Sequence, residues 1–358
     1  MAPPPRWVRR VVLAPAVVAL AFFALTTLPL WLLVAAAASP LMPGWLRPLR
    51  LFWISLFYLV LNAAALVVMF GLWVASGLGW KKRAPRFQRA HYALTGWCLA
   101  VLFWQARWTL RLRIDISGPD PDTAAPGRPE LVLCRHAGPG DSFILIHALV
   151  NWFDREPRVV LKDTLQWDPA VDVLLNRLPN QFVAPGHRRG DWSIAAMAAE
   201  LAAGLDDNDA MVIFPEGGNF TPRRRVAAID RLRARGLADA ARRAEDLRHV
   251  LAPQPGGVLA ALDAAPKAGV VFVAHTGLER MVTVADVWRE LPMDKRITMK
   301  FWSVPPDEVP VDRQARIDWL YDWWRRIDEW VGSHQPVPEP PPRRWWTLGW
   351  RWPGRSAE

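Results

Sequence analysis

Apolar and polar positions divide the chain into two regimes. Residues 11–46 and 51–80 contain no charged side chain. A helix of roughly 20 apolar residues crosses the hydrocarbon core of a bilayer, so each stretch predicts a helical segment long enough to span. Pro15 and Pro29 lie inside the first stretch, and Pro40 and Pro43 near its end. They predict kinks, and they leave a re-entrant hairpin open beside a full crossing. A cleaved signal peptide does not fit, because the first run is too long and a second comes after it. A third apolar patch, 92–104, contains Trp97 and Trp104 and is too short to span comfortably. It predicts a helix that either lies at the lipid interface or docks onto the next domain.

From about residue 107 the pattern changes. Residues 110–118 alternate apolar and polar with period two, as a half-buried strand does, and a polar loop with prolines and glycines continues to 129. The short apolar run ELVLC, 130–134, predicts a buried strand, 142–153 a helix and 158–162 another strand. Residues 191–205 form an amphipathic helix pattern with Asp191 as its cap, and 209–214 a buried strand. A highly charged helical region, 223–250, breaks near Gly236, and strands come next at 268–277 and 297–304. Strands alternating with helices predict an α/β fold, a mainly parallel sheet flanked by helices. No internal repeat is visible. The expected organisation is a membrane anchor over 1–105, an α/β domain over 106–335, and a Pro-, Arg- and Trp-rich irregular tail over 336–358.

Charge narrows the partners. The net charge is +10 and the pI about 10.4, which favours a nucleic acid, a phospholipid surface or a phosphorylated substrate. With 22 tryptophans and two long apolar runs, a phospholipid membrane is the expected partner, since indole prefers the lipid–water boundary. No nucleic-acid reader motif is present. Arg6, Arg9 and Arg10 precede the first run, Lys81, Lys82 and Arg83 come after the second, and Arg47 and Arg50 lie between. Counting basic residues puts both outer flanks, and so the α/β domain, on the cytoplasmic side. Two cysteines, Cys98 and Cys134, exclude a disulfide framework. No His/Cys/Asp/Glu spacing suggests a metal site, and no bound cofactor is expected.

Two loops carry candidate chemistry. In CRHAGPGDSF, 134–143, His136 stands five residues before Asp141 on a glycine-rich turn leaving a strand. A carboxylate there accepts from one ring nitrogen and leaves the other free as a base. A structural histidine in a plain turn is the competing reading. Phe214-Pro215-Glu216-Gly217-Gly218 leaves another buried strand. It is either a turn or a cradle whose backbone N–H groups face a phosphate or an oxyanion. In open α/β sheets, ligands gather beyond the carboxyl ends of strands, where both loops fall.

Taken together, the His-x4-Asp of His136 and Asp141 and the later Phe-Pro-Glu-Gly of 214–217 resemble the glycerolipid acyltransferases, the family of 1-acylglycerol-3-phosphate acyltransferases. FPEGGNFTPRRR and LRHVLAPQPGGVLAAL are similar to segments of the branch with lysophosphatidic acid and lysocardiolipin acyltransferases, as are MKFWSVPPDEVP and WLYDWWRRIDEWV. The resemblance covers about 107–331 and implies that family's fold. It also implies transfer of an acyl group, from acyl-CoA or acyl carrier protein as co-substrate, to a lysolipid hydroxyl. His136 would be the general base and Asp141 its orienting partner; Glu216, Gly217, Gly218 and Asn219 would hold the acceptor's polar head. This chain departs from the family pattern where Gly218-Asn219 replaces Thr-Arg and Gln254 replaces an arginine. Arg188 or Arg189, or Arg223 to Arg225, would then supply the cation. The acceptor could be lysophosphatidic acid or a lysophospholipid with a larger head group. The competing functions are a catalytically silent lipid-binding scaffold and an acyl-CoA thioesterase. His275, at a strand end, reads as structural.

Overall fold

The computed structural model describes residues 2–42, 46–118, 127–138, 140–183, 190–277 and 296–335, with side chains omitted for 190–193. The tail 336–358, Arg188, Arg189 and the cap expected at Asp191 lie outside what it describes.

The first apolar run is helical from Val8, with a π-helical start at Val8–Leu13 leading into α1, Ala14–Thr26. It breaks at Thr27 before α2, Leu28–Ala38. Two causes meet there. Pro29 lacks the N–H that would continue the ladder, and the hydroxyls of Thr26 and Thr27 both donate back to Phe23 O, at 2.9 and 2.7 Å, which bends helices. The second run forms α3, Arg47–Ala75. Val8–Thr26 and Arg47–Ala75 are the two described helices long and apolar enough to cross a membrane. The patch expected at 92–104 belongs to a longer helix, α4, Pro85–Thr109.

The α/β part contains β1 (Arg113–Ser117), β2 (Glu130–Cys134), α5 (Asp141–Asn151), β3 (Glu156–Lys162), α6 (Pro169–Leu175), β4 (Gln181–Val183), α7 (Gly190–Ala203) and β5 (Asp209–Ile213). Next come α8 (Pro222–Ala234), α9 (Ala238–Asp246), α10 (Pro255–Ala264), β6 (Gly269–Thr276), β7 (Arg296–Val304) and α11 (Arg313–Ser333). Gly236, at φ +73°, makes the expected break between α8 and α9. The described strands form one sheet in the order β1-β7-β6-β2-β5-β3-β4, parallel throughout except for β6 against β7. Two short elements, β4 and α6, were not apparent in the sequence pattern.

Alternation along β2 explains the layering. Val132 and Cys134 face α4 and α5, packing with Leu99, Phe103, Leu145 and Ala148. Leu131 and Leu133 face the other way, with Ala198 of α7, Ala261 of α10 and Trp324 and Ile327 of α11. The sheet is thus covered on both faces. α4 is therefore a core helix on one side. Its opposite side exposes Trp97, Trp104 and Trp108 at 53, 65 and 71%. Spacings of seven and four residues place these three rings on one line down the helix.

The N-terminal helices meet the domain through α6 and α4. Val17 and Val18 of α1 pack with Leu66 and Met69 of α3, Leu94 of α4, and Ala170 and Val173 of α6. Asp172, fully buried, pairs with Arg9 at 2.9 Å and Arg10 at 3.4 Å. Tyr58 donates to Asp168 at 2.6 Å, and Arg177 donates to Met69 O at 2.7 Å.

Candidate active site

Strand register brings distant residues level at one edge of the sheet. Leu133 pairs with Ile213 and Cys134 with Val273. Three residues beyond the first pair come His136 and Glu216; two beyond the second come His136 and His275. Arg135 N extends the pairing one step further, donating to Val273 O at 3.1 Å. Three parallel strands thus deliver three ionisable side chains to their carboxyl ends, His136 and Glu216 just beyond β2 and β5 and His275 next to last in β6.

Asp141 opens α5 and is buried, while His136 keeps 12% of its side chain exposed. His136 Nδ1 lies 2.9 Å from Asp141 Oδ2. The same oxygen accepts from Ala137 N at 2.7 Å and Gly138 N at 3.0 Å, and Oδ1 accepts from Ser142 N at 2.8 Å. Burial by itself would push this carboxyl up. The His136 hydrogen bond, the nearby His275 and His136 and the Gly138 N–H outweigh it and hold Asp141 below its ordinary value. An ionised Asp141 fixes the ring with its proton on Nδ1. In the neutral ring Nε2 carries the lone pair, and no described residue engages it. Phe214 packs against the imidazole, ring centroids 4.7 Å apart. His275 Nε2 stands 3.7 Å from Asp141 Oδ2.

The Phe214–Asn219 loop is tied to His136 from both sides. Glu216 Oε1 accepts from His136 N at 3.1 Å, and Phe220 N donates to His136 O at 2.7 Å. Glu216 Oε2 accepts from Leu251 N at 2.9 Å. Both oxygens of a carboxylate expected at a head group are therefore engaged inside the protein. Burial raises Glu216 from 4.5 to about 7, against the opposing pull of Arg135 and the two N–H groups. Gly217 turns the loop at φ +66°, where a Cβ would stand 2.5 Å from Gln254 Nε2. The left-handed backbone favours glycine there, and any side chain would have to displace the Gln254 amide. Gln254 N and Nε2 donate to Pro215 O and Glu216 O, at 2.8 and 3.4 Å. Gly217 N and Phe220 N are occupied by Phe214 O and His136 O. Asn219 Oδ1 is buried and bonds no described residue.

An acyltransferase family model matches residues 113–284, the span that begins at β1 and contains all three strand-end segments. Residues 113–284 are an acyltransferase domain. The protein is accordingly an acyltransferase enzyme. No curated protein matches the chain in sequence. Among solved structures, it is similar to the crystal structure of the 1-acyl-sn-glycerophosphate (LPA) acyltransferase PlsC from Thermotoga maritima. The two are 12% identical with a TM-score of 0.46, over 79% of this chain and 100% of that one. That degree of likeness carries no argument about activity.

In this acyltransferase the loop residues singled out from sequence converge, with His136, Asp141, Glu216, Gly217, Gly218 and Asn219 in one cluster. Of the arginines, Arg225 donates to Glu245 O at 2.6 Å and to Leu247 O. Arg224 is exposed and lies over the loop. Its Nη1 donates to Asn219 O at 3.1 Å and stands 3.6 Å from where a Gly218 Cβ would be. Sequence reasoning passed over Arg135, which is wholly buried and donates to His275 O at 2.5 Å and His249 O at 3.3 Å. It also underrated His275. Their one available signal was position, directly before His136 and at the end of the strand paired with β2. Among the described residues, no group of three His, Cys, Asp or Glu is placed to hold a metal ion.

Proposed function

We propose that this acyltransferase moves an acyl group from the thioester of acyl-CoA, or of acyl carrier protein, to the hydroxyl of a lysophospholipid at a membrane surface. The observation that carries this reading is His136 Nδ1 held at 2.9 Å by the buried Asp141, with Nε2 left to work as a base. The acceptor hydroxyl gives its proton to Nε2 while its oxygen attacks the thioester carbonyl carbon. The tetrahedral intermediate collapses with cleavage of the C–S bond. The imidazolium, stabilised by Asp141, returns the proton to the leaving thiolate. A positioned base of this kind contributes about 10²–10⁴-fold in rate.

Glu216 braces the loop rather than touching substrate in this reading. The N–H groups of Gly218 and Asn219 are the donors for the developing oxyanion or for the acceptor's phosphate. Arg224 supplies a cation over the same loop. The position of Asn219 Oδ1 supports a donor-bearing head group there, in line with a lysophospholipid larger than lysophosphatidic acid. The apolar faces of α1 and α3 and the tryptophan line of α4 support membrane attachment, and the basic flanks support a cytoplasmic site. Labelled acyl-CoA and a panel of lysolipids, with products read by mass, test the reading. Acylation of one lysophospholipid class supports it. Free fatty acid without acylated lipid would make the enzyme a thioesterase.

A further inference from the structure

We propose that Asp328, on α11 and beyond the 113–284 span of the family match, is a positioning residue for His136. This rests on the acyl-transfer reading above. Asp328 is buried, at 7% exposure, and its carboxylate collects three consecutive backbone N–H groups. Oδ1 accepts from Arg248 N at 2.9 Å, from His249 N and from Val250 N at 3.1 Å, and Oδ2 accepts from Arg248 N at 3.0 Å. The next N–H in line, Leu251, goes to Glu216 Oε2, whose partner oxygen holds His136 N. Four successive amides are thus shared between two carboxylates, one on the C-terminal helix and one in the active-site loop. Successive N–H groups that converge in this way form a concave anion site, and here side chains of the same chain fill it.

A second strand of the relay runs through Arg135. Its guanidinium donates to His249 O, inside the row that Asp328 holds, and to His275 O. The close approach of α11 is itself built in. A Cβ on Gly332 would stand 3.0 Å from His249, and Gln335 Nε2 lies 2.9 Å from His249 Nδ1. Removing Asp328 frees the 248–251 backbone, withdraws the Leu251 N–H from Glu216, and loosens the backbone on which the imidazole is mounted. Asp328 touches no reacting atom.

Hydrogen exchange on the intact chain reads the relay without substrate. Asp328→Ala is expected to speed exchange in 248–251 and also in 134–138. In acyl transfer it is expected to lower kcat by roughly 10²-fold, as small misplacements do, with the KM for acyl-CoA held within about threefold. Asp328→Asn keeps an oxygen facing the amide row and should restore most of both. If Asp328→Ala does not fold, Asp328→Asn and Asp328→Glu carry the same comparison at smaller amplitude. Faster exchange confined to 248–251 and α11, or a kcat equal to the parent's in a folded variant, overturns the proposal. Exchange that spreads to 134–138 in a protein whose parent transfers no acyl group leaves the relay standing and rejects the acyl-transfer reading instead.

Discussion

The strand-end loops and the N-terminal helices are held in opposite ways. At the loops, buried carboxyl groups accept from backbone N–H groups. Asp141 takes those of Ala137, Gly138 and Ser142, and Glu216 those of His136 and Leu251. Such bonds fix the course of the chain itself, so the His136 ring is mounted on immobilised backbone. At the N-terminal helices the ion pairs run from side chain to side chain, as in Arg9 and Arg10 with Asp172, and so does the hydrogen bond of Tyr58 to Asp168, while Arg177 also reaches Met69 O. Large apolar residues there, among them Phe22, Leu33 and Phe70, remain exposed. A surface of that kind suits lipid contact. One region fixes backbone beneath the His136 ring, and the other leaves a broad apolar surface uncovered; on the proposed reading the first positions a proton acceptor and the second faces lipid.

The sharpest probe of that contrast is Glu216. Glu216→Gln keeps the shape, but an amide offers one acceptor oxygen to two N–H groups, so kcat should fall by roughly 10²-fold. It should also change the pH dependence of stability. Because Glu216 holds its proton up to about pH 7 in the fold while the unfolded chain releases it near 4.5, the folded state binds the extra proton between those values. Stability from this group is full below about 4.5, falls as pH rises to about 7, and then levels off, a change on the order of 3 kcal/mol. Thermal melts of Glu216→Gln across pH 4–8 should lack that slope.

On the other side of the comparison, Asp172→Ala leaves Arg9 buried without its partner. That should destabilise the helix–domain junction by about 3–5 kcal/mol, seen as faster proteolysis between the N-terminal helices and the domain. The acyl-transfer rate should stay within about threefold, since no described contact links Asp172 to the strand-end loops. Smallest in its effect on rate is the triple change of Trp97, Trp104 and Trp108 to Ala. In detergent its turnover should match the parent's, while binding to anionic vesicles should weaken by at least roughly tenfold.

Much of this was legible in the sequence because strands that are buried on both faces announce themselves. LVLC, AMVIF and AGVVFVA, residues 131–134, 210–214 and 268–274, are unbroken apolar runs, and the segments after them carry the polar chemistry. His136 and Asp141 were within reach because they sit on a single turn. Strand order was not legible. Only the pairing of β2 with β6 brings His275 to Asp141, and residues so far apart in the chain give no local sign of it. The engagement of Glu216 was hidden for the same reason, since its partners lie on 136 and 251. The length of α4 escaped notice because polar and charged residues, Arg86, Gln88, Arg89 and His91 at one end and Gln105 and Arg107 at the other, flank its apolar middle. The three residues of β4 are too few to show a period.

The central claim, that His136 accepts the proton of the attacking hydroxyl, is tested most directly by the single-turnover rate of His136→Ala with labelled acyl-CoA and the preferred lysophospholipid. Its thermal melt, read alongside, checks that the fold is intact. A loss of about 10²–10⁴-fold in rate with an unchanged melt is the predicted result. Transfer at the parent's rate by the folded variant would contradict the account.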